Sequence, residues 1–208
     1  MLIRPIHHVI HQEADEDIGK LTASGKEIDF HTKPLVAAGK RLPWLILLLF
    51  IGLISGGIIE SFEETLKAVV ALAFFMPMIA GMTGNTGTQS LAVVVRGLVS
   101  EPLDLKKATK LLWSELLVGM IIGLTCAILI ATVAYVWRGR WILGFVVGLS
   151  LLATLIIGTL AGTIIPLILY KCKADPAVAS GPLITTINDI LSLLIYFGIA
   201  ILFISYLT

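Results

Sequence analysis

Charge is scarce in this sequence: Asp, Glu, Lys and Arg make up 14% of 208 residues, against about a quarter in an ordinary soluble domain. With 57% hydrophobic residues and a mean hydropathy of +0.98, there is too little polar surface to wrap a soluble globule of this size. That leaves an integral membrane protein. Cysteine is nearly absent. Cys126 lies in an apolar run and Cys172 in a short basic loop, which reads as a buried small hydrophobe and a free thiol rather than a structural disulfide. A net charge of +1, with basic residues scattered at the ends of apolar runs and not gathered in a patch, gives no hint of nucleic-acid binding, and no nucleic-acid partner is expected. Material for an enzyme is missing as well. There is no Ser/His arrangement and no HExxH, and aspartyl chemistry needs two carboxylates sharing a site. No internal repeat survives residue-by-residue comparison, so an inverted-repeat transporter has no support.

Residues 1–40 are of a different material from the rest and read as a cytoplasmic leader and linker. They carry His7, His8 and His11, then Glu13, Asp15, Glu16 and Asp17, and later Lys20, Lys26, Lys33 and Lys40. A polar start of this length predicts no cleaved signal peptide, with the first span directing insertion. Gln12 to Leu21 has the pattern of an amphipathic helix. The histidines stand at metal-ligand spacing and the carboxylates would attract a divalent cation weakly; a solvated polar face is the plainer reading of both.

Residues 41–208 form the membrane part. Five apolar segments follow one another, each near or above the roughly twenty residues that cross a bilayer: about Leu42–Ile59, Leu66–Val99, Ala108–Trp137, Trp141–Tyr170 and Ser180–Tyr206. The expectation is an all-α membrane protein with five transmembrane helices per subunit. Trp44, Trp113, Trp137 and Trp141 sit near span ends, where aromatic belts belong. A cytoplasmic N-terminus puts Lys40, Arg41, Arg96, Lys106, Lys107, Lys110, Lys171 and Lys173 inside and leaves Lys67, Arg138 and Arg140 outside. The C-terminus is then outside.

The second segment is too long for one straight crossing and carries Met76-Pro77-Met78-Ile79-Ala80-Gly81-Met82-Thr83-Gly84-Asn85-Thr86-Gly87-Thr88-Gln89-Ser90. Proline removes an intrahelical donor and the glycines allow close approach, so the helix is expected to kink or unwind at this motif. Where it stays helical, Gly81, Asn85 and Gln89 fall at four-residue spacing, with Arg96 further along, so one polar line runs down one face. Tight packing of small residues is the alternative account of the glycines; an intramembrane polar line points to a cavity or pore.

Of the acids, Asp189 alone reads as deep within an apolar span. Thr185 and Thr186 precede it by four and three residues, Ser192 follows by three and Tyr196 by seven, making a stripe of hydroxyls around the carboxylate. Its alternative is a structural hydrogen-bond role toward Asn85 or Gln89. Glu115 and Glu60 stand nearer the interfaces, where they are expected to snorkel or meet solvent. One carboxylate per chain is awkward for a divalent ion. In a symmetric homodimer two copies of Asp189 meet across the axis, and Mg2+ suits such a site because it keeps most of its water and is held through one or two carboxylates. Zinc would look for His or Cys.

At this point the motifs resemble a known family. Gly84-Asn85-Thr86-Gly87-Thr88-Gln89 after Pro77 is similar to the signature of the MgtE magnesium channel family, with Thr83 in place of the first glycine of a pair. Arg41-Leu42-Pro43-Trp44-Leu45 resembles the entry to that family's first span, and Asp175-Pro176-Ala177 through Thr185-Thr186 to Asp189 resembles its last. The resemblance covers about residues 35–208. It implies a homodimeric Mg2+ channel of the inner cell membrane with its pore at the subunit interface. It also implies Asp189 as the binder of hydrated Mg2+, with Gly81 and Gly84 contributing backbone carbonyls and Thr185 completing the site. Asn85, Gln89, Thr186 and Ser192 are then pore-lining. Family members usually carry an N-terminal helical domain and paired CBS modules, which 208 residues do not hold. Gln12 to Ile18 resembles the acidic tail of the second module, with Glu13, Glu16 and Asp17 at sensor positions. The competing function is a proton- or sodium-coupled divalent cation carrier, in which Asp189 exchanges the coupling ion.

Overall fold

The computed structural model describes residues 28, 31–100, 104–173 and 181–208. His7, His8, His11, Glu13, Glu16, Asp17, the expected helix over 12–21 and the Asp175-Pro176-Ala177 stretch lie outside them. Every regular element among the described residues is helical. Helix α1 (Pro34–Ser61) is followed by a short α2 (Glu63–Ala68), a 3-10 turn (Val70–Phe74), α3 (Met76–Ser100), α4 (Leu105–Arg138), α5 (Trp141–Lys171), α6 (Gly181–Leu202) and a terminal turn α7 (Ile204–Leu207). Helices α1, α4, α5 and α6 are long and apolar enough to cross a membrane. Helix α3, with the polar motif, is not among these four.

The second apolar segment does break, but not where its composition suggested. The expected unwinding at Met76–Ser90 is corrected: α3 runs unbroken from Met76 to Ser100. The break lies before it, at Val69 (φ −135°, ψ 77°) and the 3-10 turn that follows. Pro77 is second in α3, where its missing N–H is one that a helix start leaves unbonded anyway, so it marks the beginning of the helix instead of interrupting it. Glycine weakens a helix in water, but with no water to take up freed N–H and C=O groups the helical bonds are kept.

Helix α5 is the centre of the bundle. Its core-facing positions alternate leucine and valine with Gly144, Gly148, Ser150, Thr154, Gly158, Thr159, Gly162 and Thr163, all buried. Helices α4 and α5 form an antiparallel hairpin that turns through Gly139, whose φ of +68° only glycine adopts freely and whose N–H bonds the Tyr135 carbonyl at 2.7 Å. Backbones then approach closely. A Cβ built on Gly144 would stand 2.5 Å from the Ala131 carbonyl oxygen, and one on Gly148 would stand 2.9 Å from that of Ala127. Small residues are what let helices meet at this range in lipid, where the hydrophobic effect does not drive them together.

Helix α1 is the outlier, with no buried residue. It leans on α6, and Phe62 just beyond its end stacks on Phe197 with centroids 4.7 Å apart. The helix begins at Pro34, earlier than Leu42, so Trp44 sits inside it and not at its end.

The break before α3 is tied to α6. Tyr196 is fully buried, and its hydroxyl donates to the Leu72 carbonyl at 2.9 Å across 124 residues of sequence. Leu72 also accepts the Phe75 N–H at 3.2 Å. Replacing Tyr196 by Phe removes the longer-range bond but leaves the carbonyl its second partner. A loss of about 1 kcal/mol is expected, read as a thermal midpoint about 3 °C lower in detergent.

Candidate cation pathway

Helix α3 has two sharply different sides. Thr83, Gly84, Thr86, Gly87, Ser90, Leu91 and Val94 are buried, whereas Pro77, Gly81, Asn85, Gln89 and Arg96 are exposed in the single chain. The polar line expected from four-residue spacing therefore exists as one open face. Amides cannot hydrogen-bond hydrocarbon, so this face needs water, an ion or another protein surface.

The buried side is held by contacts that only glycine permits. A Cβ on Gly158 of α5 would stand 2.8 Å from Thr83 Cγ2 and 2.9 Å from the Thr83 carbonyl oxygen, and one on Gly162 would overlap the Gly87 backbone. Toward α6, a Cβ on Gly84 would lie 3.2 Å from Thr185 Cγ2, and one on Gly87 would overlap the Asn188 amide. Two of the three motif glycines are thus packing residues, the third, Gly81, being open on the exposed face with nothing within 4 Å.

On α6 the hydroxyl stripe divides. Thr185 and Thr186 are half-buried and both donate to the Pro182 carbonyl, at 2.9 and 2.8 Å, back-bonding that satisfies hydroxyls within their own helix. Asp189 is half-buried too. Its backbone carbonyl accepts the Ser192 hydroxyl at 2.9 Å. Ser192 and Tyr196 are fully buried, so the stripe passes from half-covered to interior along the helix. Since Thr185 touches Gly84, the carboxylate one turn further along stands beside the α3–α6 contact, whose open side is lined by Gly81, Asn85 and Gln89.

One side chain was misjudged from sequence, and the partner of another is visible only in the structure. Glu115, expected to snorkel toward an interface, is 6% exposed and accepts the Ser90 hydroxyl at 2.6 Å, a short bond of the kind a carboxylate makes. Asp189 is therefore not the sole acid inside. Ser90 and Glu115 join the buried side of α3 to α4, away from the polar face. Asn188, which sequence periodicity sets off the hydroxyl stripe, is 0% exposed and donates from Nδ2 to the Thr83 carbonyl at 3.2 Å. The signal for these helix contacts was present in the small residues of the fourth apolar segment, Gly144, Gly148, Gly158 and Gly162, spaced at four within each pair.

Among the described residues no three His, Cys, Asp or Glu side chains converge on one point. A cation beside α3 and α6 would meet one carboxylate with amides, hydroxyls and carbonyls, an oxygen-rich set that suits a hard, hydrated ion.

A bundle of long apolar helices that presents one amide-lined face and one carboxylate beside it has the build of a membrane protein that handles cations. The MgtE family model, described as a divalent cation transporter, matches residues 76–199, and the chain belongs to that family. It is 65% identical over 196 residues to the magnesium transporter MgtE of Bacillus subtilis (strain 168), covering 94% of this chain and 44% of that protein. It is also 42% identical over 198 residues to the magnesium transporter MgtE of Enterococcus faecalis (95% of this chain, 44% of that one). The namesake from Thermus thermophilus is 37% identical over 194 residues (92% and 43%). The chain spans less than half the length of these curated relatives.

Proposed function

We propose that this chain builds the pore of a Mg2+ channel, with hydrated Mg2+ passing between two copies across the inner cell membrane. Helices α1, α3, α4, α5 and α6 are the five crossings, the N-terminus is cytoplasmic and the C-terminus lies outside. The observation that carries the reading is the open polar face of α3, Gly81-Asn85-Gln89, alongside the half-buried Asp189 of α6. A second copy set against that face gives the amides a wet lumen and brings a second Asp189, so that two negative charges face one dication. In this reading Mg2+ keeps most of its water, the backbone of Gly81 and Gly84 and the Thr185 hydroxyl offer oxygens to its hydration shell, and Thr186 and Ser192 line the pore with Asn85 and Gln89. The names of the relatives agree with this cargo. Glu13, Glu16 and Asp17 would bind regulatory Mg2+ in the leader.

The test is flux in proteoliposomes that hold the full chain. A Mg2+ gradient or an applied voltage alone is expected to drive Mg2+ entry, with proton and sodium gradients both collapsed. Entry that stops when either of those gradients is removed identifies a coupled carrier instead, and absence of Mg2+ flux under all conditions overturns the proposal.

A further inference from the structure

We infer that Asn188 is the positioning residue of the Asp189 site: its amide pins α6 to the Thr83 carbonyl of α3 and thereby fixes where the neighbouring carboxylate stands. This rests on the reading of Asp189 as the cation-binding carboxylate and deepens it.

Asn188 is 0% exposed, and its Nδ2 reaches the Thr83 carbonyl across 105 residues of sequence. Only the amino half of an amide can face a carbonyl, so the bond decides which way the group points. Oδ1 is covered as well and finds no hydrogen-bond partner among the described residues. If Asn188 served packing alone, a leucine of nearly the same shape would fill the space and leave no acceptor unmet. What leucine lacks is direction.

Direction matters at this place because the surrounding contacts have none. Gly84 lies against Thr185 and Gly87 lies under the Asn188 amide; such surfaces limit approach but not rotation or sliding. The hydroxyls of Thr83, Thr86 and Thr88 all bond carbonyls of their own helix. Among the described residues, the Asn188 amide is thus the directional group that locks the rotation of α6 against this part of α3. Asp189 is the next residue, about 100° further round the axis, so any rotation that the amide resists would swing the carboxylate through the same angle. A dication held through its water by two symmetry-related carboxylates depends on their separation, and a site loose by about 1 Å loses function.

The experiment uses the full chain in proteoliposomes and measures half-saturating Mg2+ and maximal flux separately, with Ca2+ as the competing ion. Asn188→Leu removes the donor at nearly constant volume, and Asn188→Ala removes it with no possibility of a clash against Gly87. Each is expected to raise half-saturating Mg2+ about tenfold and to narrow the preference for Mg2+ over Ca2+. Ser150→Ala, which loses an equally buried hydrogen bond within α5, is expected to leave both unchanged. Parental half-saturation and preference in both Asn188 variants overturns the inference. So does a loss of maximal flux that only tracks the amount of folded protein, or failure of both variants to fold, since either assigns Asn188 to stability. Asp189→Ala run in parallel separates the two levels: if it is inactive while the Asn188 variants behave as the parent, only this inference falls, and if it transports normally both fall.

Discussion

Mg2+ uptake through the Asp189→Ala protein is expected to fall at least about a hundredfold, with membrane insertion and thermal stability kept. The argument turns on what Asp189 does and does not touch. Its backbone carbonyl takes the Ser192 hydroxyl, a bond that alanine preserves. Among the described residues no side-chain partner depends on the carboxylate, so the fold does not rest on it. A half-buried carboxylate in an apolar span is itself unfavourable, and its removal leaves stability unchanged or raises it. Transport is another matter under the proposed function, in which the substitution removes a negative charge from each of two copies and leaves the dication only neutral oxygens. A hundredfold loss corresponds to about 2.7 kcal/mol, a modest demand for a doubly charged ion in a medium less polar than water. Asp189→Asn keeps the shape and loses the charge, and should be nearly as inactive. Flux of a Mg2+-sensitive dye signal in proteoliposomes, with a melting curve on the same preparation, reads both quantities. Parental flux in Asp189→Ala would remove the proposed function.

The second large effect is expected at Gly162. A Cβ there would overlap the carbonyl oxygen, carbonyl carbon and Cα of Gly87. All three are backbone, and no rotamer change can clear them. For alanine to fit, α3 and α5 must move apart, which also loosens Thr83 against Gly158. Overpacking of this kind costs about 3 kcal/mol, or a thermal midpoint lower by about 10 °C for a chain of this size. Transport should fall with it, since α3 carries the open polar face. Gly97 is the internal control. Nothing lies within 4 Å of a Cβ placed there, so Gly97→Ala is expected to stabilise by about 0.5–1 kcal/mol through the helix preference of alanine. Opposite signs for two identical substitutions would confirm that the helix contacts, and not glycine as such, set the outcome. Equal stability of Gly162→Ala and the parent would contradict the closeness of the α3–α5 contact.

Much of the helical layout was legible beforehand. The third and fourth spans were placed to within about three residues of α4 and α5, because long apolar runs bounded by charge and by Gly139 leave little choice. The break in the second span was legible as a fact of length but was put in the wrong place. Proline and three glycines attract attention as breakers, yet in α3 the proline stands where a helix tolerates it and the helical bonds persist. The turn at Val70–Phe74 has no such marks in its sequence; it is stabilised from outside, by the Tyr196 hydroxyl on the Leu72 carbonyl. Glu115 was misread for a related reason. Its distance from the start of the third span suggested an interface, and only the approach of Ser90 from another helix makes the site interior.

Sequence by itself determined that this is a helical membrane protein, since lipid leaves a spanning backbone no partner but its own carbonyls. It also determined that Gly81, Asn85 and Gln89 share a face, because a helix repeats every 3.6 residues whatever surrounds it. Tertiary structure alone decided which motif glycines pack and which one stays open, and that Asn188 faces the Thr83 carbonyl while Asp189 stands beside the open side. The physical reason is that a residue without a side chain, or with an ambivalent one, takes its meaning from the atom opposite, and that atom belongs to another helix.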